Sequence, residues 1–174
     1  MPLGRAAVLY WVAVAALAAA PATSSATATT GPCPAARVHD GPIPTIKGLT
    51  GSSWVLGTPA RMRLFGWLFG GEVVDGRFAV FAGGTNPANQ VDEKILWIVP
   101  LSKRVGPRLA ISGRLDGSSR ITYRRRYAEA SSEQTPAHLF PSVLDLPRPG
   151  CWKLTLTSGP IRATVTVLAQ QPLA

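Results

Sequence analysis

His138, Ser142 and Asp145 lie close together in the chain and are the residue types of a nucleophile, a general base and an orienting carboxylate. A serine hydrolase brings such groups together through its fold, not through neighbouring positions. No Gly-x-Ser-x-Gly elbow accompanies Ser142, so nothing in the sequence presents it as an activated nucleophile. His39 adjoins Asp40, and Asp92 adjoins Glu93. Each is an isolated pair without a second cluster at metal-ligand spacing, and both are read as solvated loops. "GGTNPANQ", 83–90, is glycine-rich but has neither the lysine nor the residue order of a phosphate loop, and reads as a long turn between strands. With nine acids in the whole chain, no carboxylate pair of the glycosidase kind stands out. The expectation is a non-catalytic protein with no metal and no cofactor.

The chemistry that does stand out is cationic. Residues 101–126 contain Lys103, Arg104, Arg108, Arg114, Arg120, Arg124, Arg125 and Arg126 against a single Asp116. Strand side chains alternate between two faces. In a strand near 107–115, Leu109, Ile111 and Leu115 face inward while Arg108 and Arg114 face outward. In a strand near 119–127, Ile121, Tyr123 and Tyr127 share the core parity, and Arg120, Arg124 and Arg126 face outward. Asp116-Gly117 marks the turn between them. Matching the apolar faces requires an unbulged register that pairs even residues with even. Arg108, Arg114, Arg120, Arg124 and Arg126 then share one outer face. Like charges facing each other cost stability, and an anionic partner would relieve that cost, because guanidinium forks suit phosphate and carboxylate. The rival reading is a solvated, solubilising face. No aromatic is interleaved on that face, so specific nucleic-acid recognition is not expected.

The elements that would carry these groups are strands. Short apolar runs recur from Ser53 onward: Trp54–Leu56, Met62–Phe69, Arg77–Ala82, Lys94–Val99, Arg108–Leu115, Arg120–Tyr127, His138–Leu146, Trp152–Thr157 and Ile161–Leu168. Gly70-Gly71, Gly83-Gly84, Pro100, Asp116-Gly117 and Ser158-Gly159-Pro160 punctuate them. Such spacing predicts an all-β sandwich or barrel of roughly seven to nine strands. Tyr127–Gln134 is the one weak helix candidate, and it lacks an apolar stripe. Ile95 to Val99 is apolar on both faces and must be covered on both. This makes it a central core strand, or a strand on which Leu96 or Trp97 lines a groove. In the last hairpin Trp152, Leu154 and Leu156 share one face, so Trp152 is the expected core anchor, while Cys151 falls with Lys153, Thr155 and Thr157.

The N-terminus reads as an export signal. Arg5 is followed by an apolar run from Ala6 to Ala20 and then by Ala20-Pro21-Ala22, a small-x-small cleavage pattern. The run is shorter than the roughly twenty apolar residues that span a bilayer, so a signal peptide over 1–22 is preferred to a retained anchor. Ala26 and Ala28 are alternative cleavage points. Residues 23–52 read as a flexible and then extended lead-in, and 53–170 as a single sandwich domain. Removing Arg5 from 18 cations leaves a surplus of eight over the nine acids. That surplus favours anionic envelope polymers, acidic headgroups or released nucleic acid as surroundings. No further segment could span a membrane. Two cysteines in an exported chain imply a disulfide, Cys33–Cys151; the alternatives are two free thiols or an intermolecular bridge. Cys33 follows Gly31-Pro32 without the leucine of a lipobox, which argues against a lipid anchor.

Cys33-Pro34, the mid-chain "KILW" and "FPSVLDLPRPGCWKLTLTSG" resemble a group of small secreted proteins and lipoproteins of high-GC Gram-positive bacteria. Gly150-Cys151-Trp152 carries the resemblance best. It covers most of residues 33–168, and the absent lipobox is a departure. The resemblance implies an immunoglobulin-like β-sandwich and an extracytoplasmic location, and brings no activity with it. The expected protein is therefore a secreted or envelope-associated binding module for an anionic polymer. The alternative is a structural or protein-interaction domain that works through an exposed sheet edge.

Overall fold

The periodicity of the sequence becomes two packed β-sheets. The computed structural model describes residues 32–44, 46, 49, 53–69, 72–86, 91–130 and 135–171; the expected signal peptide and the tail that follows it lie outside these. In chain order the described strands are β1 (Val38–His39), β2 (Trp54–Leu56), β3 (Phe65–Leu68), β4 (Glu72–Val74), β5 (Arg77–Phe81), β6 (Thr85–Asn86), β7 (Val91–Asp92), β8 (Lys94–Pro100), β9 (Arg108–Leu115), β10 (Tyr123–Ala128), β11 (Ala137–Val143), β12 (Gly150–Ser158) and β13 (Ile161–Gln170). A five-stranded sheet runs β1-β2-β3-β8-β11 and a six-stranded sheet runs β10-β9-β12-β13-β5-β4. The fold is all-β, as expected, and each predicted run contains a strand. The surplus over the expected number comes from β1, β4, β6 and β7, each of two or three residues. Strands β6 and β7 form a small ribbon of their own at the start of the glycine-rich turn. The helix candidate is not realised where it is described: β10 continues to Ala128 and Ala130 bridges to Leu139. The remainder of that candidate, 131–134, lies outside the described residues.

Between the sheets, Leu109, Ile111, Trp152, Leu154, Leu156, Val165 and Val167 meet Val55, Ile95, Trp97, Val99 and Phe140 in one buried cluster. Trp152 is fully buried, and its indole N–H donates to the Arg148 carbonyl at 2.9 Å, so the aromatic is enclosed without stranding a donor. Room for the other central tryptophan comes from Gly66, directly opposite Trp97 in register. A Cβ at position 66 would stand 2.6 Å from the Trp97 ring.

Strand β8 buries both faces. Ile95, Trp97 and Val99 enter the intersheet core, while Ile98 joins a second cluster on the outer side with Trp54, Phe65, Ala137 and Leu139. That second cluster is roofed by Ile43, Ile46 and Leu49. Segment 32–49, expected as a lead-in ahead of the domain, is thus part of it wherever it is described. Its course is extended, but its apolar residues supply the cover that the outer face of β8 requires. The segment also links the sheets. The Ala36 N–H donates to the Thr166 carbonyl of the six-stranded sheet at 2.7 Å, and two residues later β1 pairs with β2 in the five-stranded sheet.

Cys33 and Cys151 are joined in a disulfide, with Cα atoms 5.4 Å apart. The bond ties the start of this segment to the beginning of strand β12, where Cys151 is half-buried on the polar parity. The enclosed loop spans 118 positions, so the chain-entropy account gives about 4–5 kcal/mol as an upper figure.

Two outcomes follow. Trp152→Ala should lower stability by about 3–5 kcal/mol, the usual loss for a fully buried aromatic, read as the change in denaturation midpoint; an unchanged midpoint would contradict its anchoring role. Peptide mapping of the non-reduced exported protein should recover Cys33 and Cys151 in one linked species, whereas two alkylatable thiols would refute the bond.

Candidate polyanion face

Strand β9 pairs with β10 on one side and β12 on the other. On the β10 side Arg124 lies opposite Ser112, Arg126 opposite Ala110, and Arg108 opposite Ala128, the even-with-even register expected from the apolar faces. Each of these arginines is exposed and faces a small neutral residue, so the like-charge cost is mostly avoided. The one direct confrontation is on the other side, where Arg114 lies opposite Lys153 of β12. Arg162 of β13, opposite Thr157, extends the same outer face. Arg108, Arg114, Arg124, Arg126, Lys153 and Arg162 are all exposed, and among the described residues none of them has an acid within ion-pair distance.

Arg120 does not join this row. Strand β10 begins at Tyr123, and Arg120 sits in the preceding loop, where its N–H donates to the Ser118 hydroxyl at 3.2 Å. Ile121, expected on the core parity, is 42% exposed. The Asp116 N–H donates to the Cys151 carbonyl at 2.7 Å and so carries the β9–β12 ladder one residue past Leu115, the Ser118 N–H closes a turn on the Leu115 carbonyl, and pairing with β9 resumes only at Thr122, whose N–H donates to the Gly113 carbonyl. Lys153 and Arg162 were legible as outward residues of the last hairpin. Their place beside the basic hairpin was not, because it depends on β12 lying next to β9. Ser112, Ser119 and Thr155 supply hydroxyls around the Arg114–Lys153 pair, in a shallow depression of about 310 Å³.

The inner side of β10 holds this edge in place. The Tyr123 and Tyr127 hydroxyls both donate to the Val143 carbonyl, at 3.4 and 2.5 Å. Arg125, on the same parity, forms a forked ion pair with Asp145, its Nε 3.1 Å from one carboxylate oxygen. Its guanidinium also lies 5.3 Å from the centre of the Tyr123 ring. Edge strand β10 of one sheet is thereby fastened to the end of β11 in the other. Burial, reinforced by the adjacent Tyr127 hydroxyl, pushes the Tyr123 phenol far above the ordinary tyrosine range. Burial also raises Tyr127.

The residues weighed for catalysis are engaged separately. The Ser142 hydroxyl donates to the Ile95 carbonyl at 3.1 Å, His138 Nδ1 is 2.7 Å from Glu129, and Asp145 holds Arg125. His39 stacks on Trp54 with ring centres 4.5 Å apart, and Asp40 accepts from the Ser53 hydroxyl. Glu93, expected on a solvated loop, is instead buried where the chain enters β8. Among the described residues no three metal-ligating side chains converge, and no helix is long and apolar enough to cross a membrane. No protein-family model matches the chain, and no curated protein or solved structure matches it either.

The phenols allow a pH test. The chain's third tyrosine, Tyr10, lies in the expected signal peptide, so the exported protein should report Tyr123 and Tyr127 alone. Their phenolate absorbance should appear only well above pH ~10, where free tyrosine ionises. Unfolded tyrosines release protons from that pH upward while the folded ones keep them. The stability that these two phenols contribute should therefore be fully present below pH ~10 and be lost as pH rises past it. Tyr123→Phe/Tyr127→Phe should remove that fall. Ionisation at the ordinary tyrosine pH in the folded protein would show that the hydroxyls are not enclosed.

Proposed function

We propose that this protein is a non-catalytic, exported or envelope-associated module that binds polyanions on the outer face of its six-stranded sheet. The observation that carries the proposal is Arg114 placed opposite Lys153, flanked by Arg108, Arg124, Arg126 and Arg162, with no acid partner among the described residues. A like-charged cross-strand pair is unfavourable alone and becomes favourable once a phosphate, sulfate or carboxylate bridges it. The neighbouring hydroxyls can donate to the same oxygens. An extracytoplasmic setting agrees with the disulfide, since such bonds persist in oxidising compartments. The same reading takes the sandwich as immunoglobulin-like and groups the chain with the small exported proteins that its Gly150-Cys151-Trp152 hairpin resembles.

The expected contacts are to backbone charge, without base readout, so binding should be tolerant of sequence and steeply salt-dependent. Binding to heparin, a teichoic-type polymer and duplex DNA should weaken strongly between low and physiological salt. Arg114→Ser/Lys153→Ser should reduce the slope of log affinity against log salt for DNA by about two, one for each lost phosphate contact. Arg124→Ser/Arg126→Ser should act similarly. If both double variants bind all three polymers as the parent does, the face is only a solvated one and the structural or protein-interaction role takes its place.

A further inference from the structure

Ile43, Ile46 and Leu49 pack over the outer face of the five-stranded sheet around Ile98, and Leu96 packs against the same cluster. Beyond it lies an open groove of about 560 Å³, floored by Leu96, Leu139, Pro141 and Val143 and flanked by Phe69 and Ala130. Its volume falls in the range of small-molecule sites, about 300–1,000 Å³. Phe69, 57% exposed, lines one side of the groove, its ring tilted against Trp67 behind it at 4.7 Å between ring centres. The groove is on the opposite sheet from the basic face, and it stands independently of the polyanion reading.

The polar groups at the groove decide what it can take. The Tyr127 hydroxyl is committed to the Val143 carbonyl, and the Ser142 hydroxyl to the Ile95 carbonyl. Lys94 is the exception: it is exposed at the rim and, among the described residues, has no acid partner. An extended peptide would need backbone partners from the neighbouring edge strand β11. That edge is largely taken. The Leu139 carbonyl accepts from the Ala130 N–H, the Val143 carbonyl accepts both tyrosine hydroxyls, and Pro141 has no N–H. A peptide lying here would leave its own amides unsatisfied against apolar walls, which is costly. A hydrocarbon chain has no such groups to satisfy.

We propose that this groove binds one long-chain fatty acid, its alkyl chain along Leu96, Leu139 and Pro141 and its carboxylate on Lys94. The occupant matches the site on both counts: apolar length for the floor and a negative charge for Lys94, the one cation lining the groove among the described residues.

Calorimetric titration of the folded exported protein with palmitate, below its micelle concentration, should show saturable binding with one site per chain. Lys94→Gln should weaken palmitate roughly tenfold, the usual effect of losing a hydrogen bond to a charged group, and leave hexadecanol binding unchanged. Phe69→Ala, at an exposed position that the fold does not need, should weaken both ligands several-fold. Arg124→Ser/Arg126→Ser should leave both unaltered, which separates this site from the polyanion face. Absence of saturable palmitate binding would overturn the proposal. So would palmitate binding indifferent to both Lys94→Gln and Phe69→Ala, or saturable binding of an apolar peptide in place of palmitate.

Discussion

From Ile95 to Val99 strand β8 has no polar face, and much of the architecture answers that one constraint. Ile95, Trp97 and Val99 need the six-stranded sheet on one side, while Leu96 and Ile98 need cover on the other. Burial of apolar surface is the main favourable term in folding, so a strand apolar on both sides recruits whatever chain can reach it. The first side is met by the sandwich. The second is met in part by the segment that carries Ile43, Ile46 and Leu49. The disulfide at Cys33 and the hydrogen bond from Ala36 to Thr166 hold the beginning of that segment, so the roof is anchored at its origin. Leu96, packed against that cluster, also lines a groove.

The two sides of β10 divide its work. Tyr123, Arg125 and Tyr127 turn inward and fasten the edge of one sheet to the end of β11 in the other. Arg124 and Arg126 turn outward toward solvent. The strand can carry arginines at three successive positions because the middle one is neutralised by Asp145 and the outer two face Ser112 and Ala110 across the ladder. An edge strand with this much charge also resists pairing with another chain. Fastening and display depend on the same alternation, and a one-residue slip would exchange them.

The sequence was most legible where alternation is strict. Trp54–Leu56 and Arg108–Leu115 coincide with strands at both ends, and the last hairpin differs only by a residue or two at its margins. Trp152, Leu154 and Leu156 are buried together because a strand facing a core leaves them no other arrangement. The reading failed where backbone hydrogen bonds outside the hairpin intervened. Asp116 bonds to Cys151, so the turn opens, Arg120 leaves the row and Ile121 is exposed. It failed again at 43–49, where scattered apolar residues without periodicity are core only because β8 offers them a surface.

What the sequence determined by itself is the set of local faces. Period-two alternation places each side chain inward or outward on its own strand whatever the neighbouring strand is, and that much follows from backbone geometry. The partner of each strand lies outside such reasoning, because pairing is set by packing between segments distant in the chain: Lys153 stands 39 positions beyond the Arg114 it faces. Only the tertiary structure puts Lys153 opposite Arg114, joining two moderately basic hairpins into one face. Only the tertiary structure brings Leu139 and Pro141 beside Leu96 and Lys94, which has no acid partner among the described residues. Both candidate sites are built from residues of different strands, so each exists as a site only once the sheets have assembled.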